Sequence, residues 1–234
     1  ANPSDGPNAW EFRAPKVGRF LRDQKVELLA FQEVLPQQRI DLERMLPEYR
    51  SYGVSRDGRG QDEQCCWFVS GDWWFEEART YWLSETPQQA SKGWDAMLPR
   101  VCSLVRLRSA QGSFWAANVH LDHHGAQARR QGLELVLHSL PQGQPAILVG
   151  DLNQSDLVAA IPGFQDWADT QVLANQQSLG TFHDFRGGTQ GPRIDAILAS
   201  PHWDLTDFRL VQDPELSDHY PLRASLQRVG ANSA

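Results

Sequence analysis

The chain contains 234 residues, of which 41% are apolar, and its formal net charge at pH 7 is −7. Two-sheet sandwiches of this length commonly form one domain, and this apolar fraction is sufficient for a sizeable core. No run of about 18 apolar residues occurs, which excludes a membrane-spanning helix of the usual kind. Because proteins that bind duplex nucleic acid usually carry clustered basic residues, the acidic balance argues against long polyanionic substrates, although it does not exclude a nuclease.

The three cysteines, Cys65, Cys66 and Cys102, lack the paired spacing of a zinc site and the pattern of a disulfide framework. We therefore expect reduced, buried thiols.

The sequence starts at Ala1 and shows no charged-then-apolar leader. We expect a cytoplasmic monomer, with a secreted or periplasmic protein as the alternative if a leader has been removed.

Helices and short strands are predicted along the whole chain after an opening loop at 2–8. Apolar residues at helical spacing predict helices at 15–24, 37–46 and 127–140. Short apolar or β-branched runs predict strands at 27–31, 49–55, 65–70, 101–108, 113–121, 145–150, 194–199 and 221–229. This order predicts mixed sheets flanked by helices. Since no linker interrupts it, we interpret residues 1–234 as a single domain.

Several predicted strands consist of apolar residues and are followed by an acidic residue or a histidine. Glu33, Asp151 and His120 each follow such a strand, whereas Asp218 and His219 precede the last strand. Buried like charges are costly unless a cation neutralises them. Since most of the available ligands are oxygen atoms, the pattern favours Mg²⁺ or Mn²⁺ over zinc.

Asp151 and Asn153 lie two residues apart, so that on an extended backbone their side chains point to the same side. One can then accept a proton while the other donates an amide hydrogen bond. The adjacent Asp218 and His219 place a potential metal ligand beside a cationic group. Phosphoester hydrolysis needs a base for water, a metal at the phosphoryl oxygen and donors for the developing charge. The alternative for both pairs is turn chemistry, because Asp and Asn favour strand ends and turns.

Five short segments resemble, in order and approximate spacing, the signature of the endonuclease/exonuclease/phosphatase superfamily. They read FQEV, NVHLD, GDLN, RIDAI and SDHYPL, at 31–34, 118–122, 150–153, 193–197 and 217–222. Further similarity at 2–13, 82–87 and 93–100 favours a bacterial and fungal branch of uncharacterised members. The resemblance implies an α/β four-layer sandwich, in which two mixed β-sheets pack face to face with helices outside, as in deoxyribonucleases of the pancreatic type.

The resemblance also implies a metal site and a catalytic base. Glu33 would bind Mg²⁺ or Mn²⁺, and Asp218 would contribute to the same site. Asp151 would orient and deprotonate the attacking water. Asn153 would hold the nucleophile or a phosphoryl oxygen.

Two histidines are expected at the scissile phosphate. The resemblance implies that Asp195 orients His219, which contacts that phosphate, and that His120 faces it from the other side. Glu63 matches an acid that pairs with such a histidine in some nucleases of the superfamily. The alternative for Asp195 is a buried ion pair with Arg193, and the alternative for Glu63 is a solvated loop position.

Four further residues are expected to contact the substrate. Arg56, Arg100 and Trp94 are candidates for binding its phosphate or sugar, and Asp122 in the NVHLD segment is grouped with them. The alternatives for Arg56, Arg100 and Trp94 are ordinary surface or packing positions.

The sequence departs from the family pattern at its start. Family members usually begin with a strand that carries a metal-binding Asn, just before the stretch that matches 1–13. That first strand is missing from this sequence, and Asn2 and Asn8 belong to the following loop. We expect that restoring such a strand would raise both thermal stability and metal-dependent rate.

Together these observations predict metal-dependent hydrolysis of a phosphodiester or phosphomonoester by in-line attack of water. The acidic charge favours a small phosphorylated molecule or head group as the substrate. A nuclease acting on RNA or single-stranded nucleic acid is the first alternative. A metal-binding relative without catalytic activity is the second.

Overall fold

The computed structural model describes residues 3–156 and 158–230, which form four α-helices and eleven strands. The helices are α1 (Trp10–Gln24), α2 (Pro36–Met45), α3 (Ala126–Ser139) and α4 (Thr170–Leu173). The strands are β1 (Leu28–Val34), β2 (Arg50–Tyr52), β3 (Gln64–Val69), β4 (Trp74–Trp82), β5 (Val101–Ser109), β6 (Gly112–His120), β7 (Ala146–Asp151), β8 (Ala168–Asp169), β9 (Asp195–Ala199), β10 (Trp203–Leu210) and β11 (Leu222–Arg228). Short 3₁₀ helices lie at Pro3–Asn8 and Val158–Ala160.

Six strands form a central mixed sheet in the order β4-β5-β6-β7-β9-β8. Strands β6 and β7 are parallel, and the other neighbours are antiparallel. Parallel neighbours need a long crossover connection, and α3 supplies it between β6 and β7. The chain then reaches β9, which runs back along β7 and brings its first residue to the edge where β6 and β7 end.

The second strand layer consists of two antiparallel sheets, one ordered β2-β3-β1 and the other β10-β11. It packs on the central sheet through a buried cluster that includes Trp67, Val69, Val105 and Ile147. The expected Asn-bearing strand before Ala1 lies outside the described residues. Within them, β1 pairs with β3, and β11 pairs with β10.

The helices cover the outer faces of both strand layers. Alternation along β3 turns Trp67 towards the central sheet and Phe68 towards α1 and α2. On the other side, Leu133 and Val136 of α3 pack against the central sheet. This arrangement confirms the four-layer α/β sandwich. Among the described residues, no helix combines the length and apolarity needed to cross a membrane.

Two long strands, β4 and β10, were not predicted from the sequence. Most residues of β4 are exposed or half-buried, as are those of β10. Strands that bury little of either face show a weak alternation of apolar and polar residues, which explains the omission. Helix α1 also begins earlier than expected, at Trp10, with Pro15 inside it. The cysteines are free and buried, as expected, and burial raises the pKa of Cys66 and of Cys102 to about 12.

Candidate active site

Three strands of the central sheet bring polar side chains to one edge. His120 at the end of β6 pairs in register with Asp151 at the end of β7, and Asp151 pairs with Asp195 at the start of β9. Because β6 and β7 are parallel and β9 is antiparallel to β7, two strand ends and one strand start meet there. The strand register therefore places an imidazole and two carboxylates side by side.

The end of β7 depends on a glycine. Gly150 has a φ of 141°, and an added Cβ would lie 1.9 Å from the carbonyl oxygen of Val119. The backbone after Asp151 then turns, since Asn153 has a φ of 52°. The expectation of an extended backbone from Asp151 to Asn153 is therefore wrong. Instead, the N–H of Asn153 donates to Asp151 Oδ1 at 2.7 Å, and its side-chain amide donates to the carbonyl oxygen of Leu121 at 3.0 Å.

Glu33 lies in an irregularity of β1. The pairing of β1 with β3 shifts between Phe31 and Val34, and Glu33 has a φ of 57°. An extra residue in one strand re-aims the local side chains. The Glu33 side chain is 60% exposed, and its Oε1 lies 3.8 Å from His120 Nδ1. The strand irregularity thus directs Glu33 to the same edge as His120.

Glu33, Glu63 and Asp218 form the acidic side of the site. Desolvation by the walls of the cleft raises the pKa of Glu33, and the charges of Glu63 and Asp218 raise it further. The side chain nevertheless stays open to solvent in the cleft. Asp218 is half-buried, and its Oδ1 accepts a hydrogen bond from Ser217 at 3.0 Å. Repulsion among these carboxylates favours a bound cation.

Asp195 and His219 form a close pair, with Asp195 Oδ2 2.8 Å from His219 Nδ1. Burial lowers the pKa of His219, but the hydrogen bond and charge of Asp195, with the charges of Asp151 and Asp218, outweigh burial and raise it to about 9. His219 is therefore cationic at neutral pH. The N–H of Asp195 donates to Thr181 Oγ1 at 3.1 Å, which fixes the start of β9.

Arg193, the alternative partner of Asp195, has a different acid beside it. Its Nη1 lies 2.7 Å from Asp169 Oδ2, at the start of α4. The structure therefore pairs Asp195 with His219 and not with Arg193.

His120 is buried, and its Nε2 lies 3.5 Å from Asp151 Oδ2. Burial holds the pKa of His120 well below its usual range, and the charges of Arg100 and His219 lower it further. The two histidines of the site consequently differ in charge. His120 is neutral and His219 is cationic.

Asp151 has the ionisation behaviour of a base that works near neutral pH. Burial, followed by repulsion from Asp195, raises its pKa to about 7, while the charge of His219 and the N–H of Asn153 oppose the change. The efficiency of a general base is greatest when its pKa lies near the working pH.

The donor set fits a hard divalent cation. Ligand atoms of Asp151, Asp195 and His219 lie within 4.8 Å of one another. Asp195 and His219 already satisfy each other, however, so Glu33 and Asp218 are the freer ligands. A divalent ion held by Glu33 and Asp218 would reduce the repulsion that raises the pKa of Glu33. Carboxylate oxygens are the ligands that Mg²⁺ and Mn²⁺ prefer.

Glu63 pairs with an arginine and not with the expected histidine. Its Oε2 lies 2.5 Å from Arg56 Nη1, and Arg56 Nε lies 3.0 Å from Asp62 Oδ2. The loop between the two residues is closed by a hydrogen bond from the N–H of Arg56 to the carbonyl oxygen of Glu63 at 2.9 Å. This local closure explains the pairing.

Asp122 has a different role from the expected contact with substrate. The residue is 1% exposed, and its carboxylate accepts backbone N–H groups from Met97, Leu98, His124 and Gly125. Burial raises the pKa of Asp122, but these N–H donors outweigh burial and lower it to about 2. Asp122 therefore fixes the loop before β5 to the loop after β6.

Trp94 lies in the loop that Asp122 holds. Its N–H donates to the carboxylate of Glu85 at 3.1 Å, and its φ is 48°. In the described part of the chain, the residues that line the cleft do not include Trp94. The expected contact between Trp94 and the substrate therefore has no support from this geometry.

The residues of the site surround a cleft of about 640 Å³. Asp195 does not line the cleft and contacts it only through His219. Most of the residues expected at the site line the cleft, namely Glu33, Arg56, Glu63, Arg100, His120, Asp151, Asn153, Asp218 and His219. The remaining lining residues are Leu98, His123, Gln154, Ser155, Phe182, Pro192 and Ile194.

Sequence reasoning missed the residues that support the site from behind. The Asn118 amide donates to the carbonyl oxygens of Phe31 and Cys66, and its Oδ1 accepts from Gln32 at 2.6 Å. Asn118 thus ties β6 to β1 and β3, two residues before His120. Gln32 and Asn118 belong to the family-like segments at 31–34 and 118–122, so the sequence offered a signal for them as supporting residues. Thr181 lies in no such segment.

Comparison with known proteins supports one family. The model of the Endonuclease/Exonuclease/phosphatase family matches residues 7–219. No curated protein gave a significant match. Members of this family are generally hydrolytic phosphoesterases, and divalent-metal dependence is typical of them.

Several solved structures share the fold over nearly the whole chain. An endonuclease/exonuclease/phosphatase from Bacteroides vulgatus is 32% identical with a TM-score of 0.89, covering 97% of this chain and 94% of that one. A mannosyl-6-phosphatase from Bacteroides thetaiotaomicron is 29% identical with a TM-score of 0.87, covering 97% and 96%. A humanized D. rerio TDP2 is 17% identical with a TM-score of 0.76, covering 97% and 94%, which shows the fold alone. The chain belongs to the Endonuclease/Exonuclease/phosphatase family.

Proposed function

We propose that the chain is a divalent-metal-dependent hydrolase of phosphoester bonds in small phosphorylated molecules. The observation that carries the proposal is the convergence of Asp151, His120 and His219 with further charged side chains on one cleft of about 640 Å³. Small-molecule sites commonly have this volume. The net charge of −7 also favours a small substrate over duplex nucleic acid.

The base in this proposal is Asp151. Its Oδ1 accepts the N–H of Asn153, which leaves Oδ2 to take a proton from water. Neutral His120, 3.5 Å from Asp151 Oδ2, helps to position that water. A pKa of about 7 for Asp151 is suited to proton transfer near neutral pH.

The donors in this proposal are His219 and the bound cation. Because Asp195 occupies Nδ1 of His219, Nε2 is the ring nitrogen that would donate to a phosphoryl oxygen. Its positive charge offsets the charge that develops during attack. Held by Glu33 and Asp218, Mg²⁺ or Mn²⁺ would polarise a phosphoryl oxygen.

Sugar phosphates are the first substrates to test. The similar structure that is 29% identical is a mannosyl-6-phosphatase, and its fold matches over almost the full length of both chains. The cleft also contains apolar side chains, Phe182, Pro192 and Ile194, which can contact the carbon skeleton of a small alcohol.

The test is a substrate panel assayed with Mn²⁺ and again with a chelator. We expect release of inorganic phosphate from mannose 6-phosphate and glucose 6-phosphate, only with metal, and no cleavage of single-stranded RNA or DNA. Cleavage of the oligonucleotides without phosphate release from sugars would overturn the proposal in favour of a nuclease. Metal binding by calorimetry without hydrolysis of any substrate would indicate a non-catalytic relative.

A further inference from the structure

We propose that Arg100 binds a non-bridging oxygen of the substrate phosphate and makes the cleft selective for phosphomonoesters over phosphodiesters. This inference rests on the proposed function and adds a substrate class to it.

Arg100 is a buried cation with unused donors. The residue is 5% exposed, yet it lines the cleft beside Glu33 and His120. A guanidinium carries five N–H donors. Within the described residues, the side chain of Arg100 makes one hydrogen bond, from Nη2 to His123 Nδ1 at 3.1 Å, and its buried Nε has no partner.

The acid nearest to Arg100 does not satisfy it. Asp122 Oδ2 lies 3.6 Å from Arg100 Nε, which is longer than a hydrogen bond. The Asp122 carboxylate is already committed to four backbone N–H groups. Asp122 therefore partly neutralises Arg100 and holds its loop, but it leaves the donors free. A buried donor without a partner is costly and indicates an absent acceptor.

Arg56 provides an internal comparison. It lines the same cleft, and in the part of the chain that the structure describes its buried Nε likewise has no hydrogen-bond partner. It differs from Arg100 in its acids, since Asp62 lies at 3.0 Å and Glu63 at 2.5 Å and accepts a hydrogen bond. Two carboxylates thus compensate the charge of Arg56 inside the protein. Among the described residues, Arg100 has only Asp122 as an acid beside it, at 3.6 Å and without a hydrogen bond, and is therefore the cation better able to bind a ligand anion.

The chemistry of the ligand follows from this charge. A phosphomonoester dianion has three non-bridging oxygens that share two charges, whereas a phosphodiester has two such oxygens and one charge. A cationic side chain with several donors binds the dianion more strongly. In a cleft rich in carboxylates, Arg100 would also offset the repulsion that a dianion meets.

The test compares hydrolysis of p-nitrophenyl phosphate and bis-p-nitrophenyl phosphate by the parent and Arg100→Gln, with Mn²⁺. We expect kcat/KM to fall by about 100-fold for the monoester and by less than about 10-fold for the diester, because a charge-assisted hydrogen bond is lost mainly from the monoester. Arg209→Gln is the matched control, since Arg209 is an exposed residue of β10 and does not line the cleft.

A binding measurement complements the rates. With a chelator present, inorganic phosphate should raise the melting temperature of the parent and of Arg209→Gln but not that of Arg100→Gln. Dimethyl phosphate should have little effect on any of them. If Arg100→Gln does not fold, Arg100→Lys should still lower the monoester rate more than the diester rate, because the planar fork of donors is lost.

The outcomes separate this inference from the proposed function. An unchanged ratio of monoester to diester rates in a folded Arg100 variant contradicts the inference while leaving metal-dependent hydrolysis intact. A parent that hydrolyses neither ester with Mn²⁺ overturns both.

Discussion

The Nδ1 atom of His219 lies 2.8 Å from Oδ2 of Asp195, and this contact joins the loop before β11 to the start of β9. The pair accounts for the raised pKa of His219, about 9 against a usual 6.5. Because the pKa of His219 is raised in the folded state, protonated His219 contributes stability that is fully present below pH 6.5 and is lost as the pH rises through about 9.

Asp195→Asn should therefore lower the pKa of His219 towards its usual range. In metal-free protein, the parent should be more stable than the variant at pH 6, and the difference should shrink as the pH approaches 9. An NMR titration of the His219 ring and melting curves at several pH values measure both quantities. A His219 midpoint that is the same in both proteins would remove Asp195 from this role.

Asp151→Asn should raise the stability of the protein above neutral pH, whereas Asp195→Asn should lower it at pH 6. The pKa of Asp151 is raised from 3.8 to about 7, so its contribution is present below pH 3.8 and is lost as the pH rises through about 7. At pH 8 the ionised carboxylate is buried near Asp195, and the variant removes that charge. With a chelator present, the melting temperature of the variant should exceed that of the parent at pH 8. This difference in melting temperature should be larger at pH 8 than at pH 5. Equal shifts at both pH values would contradict this prediction.

Glu33→Gln should weaken the affinity for Mg²⁺, because a charged oxygen ligand becomes neutral at similar volume. The rate should recover in part when the Mg²⁺ concentration is raised. Glu76→Gln is the control, since Glu76 pairs with Arg106 and Arg108 away from the cleft. Superimposable Mg²⁺ titrations of the parent and Glu33→Gln would show that Glu33 is not a ligand.

The dependence of the rate on salt should be mild. A small phosphoester makes few phosphate contacts, so kcat/KM should change little between low and physiological ionic strength. A nucleic-acid substrate would instead give a steep linear decline of log kcat/KM with log salt concentration. The measurement uses the best substrate of the panel and, in parallel, single-stranded RNA.

The strand-end residues were the part of the site best predicted from the sequence. A short apolar run followed by Asp or His identifies the end of a buried strand, and parallel neighbours bring such ends together. His120 and Asp151 consequently meet at one edge, as register partners. Asp195 reaches the same edge from the start of antiparallel β9, and only the family resemblance indicated its role. The four-layer fold was predicted on the same segments and on their family resemblance.

The remaining features depend on contacts that leave no local pattern. The β-bulge that turns Glu33 depends on how β1 pairs with β3, whose partner residues lie 30 or more positions later along the chain. The sequence does not predict the role of Asp122, because its partners are backbone N–H groups, which no side-chain pattern reveals. The family resemblance indicates a histidine partner for Glu63, and the closed loop that places Arg56 beside it has no clear sequence signal.

Metal-dependent phosphate release by the parent and by Asp151→Asn tests most directly whether Asp151 is the base of a metal-dependent hydrolase. Both proteins are assayed on p-nitrophenyl phosphate with saturating Mn²⁺ and then with excess chelator, after circular dichroism has shown that both are folded. We predict activity for the parent only with Mn²⁺, and turnover lower by roughly 100-fold or more in the variant, the scale of lost general-base catalysis. Turnover by Asp151→Asn within twofold of the parent, or parent activity that survives the chelator, would contradict the account.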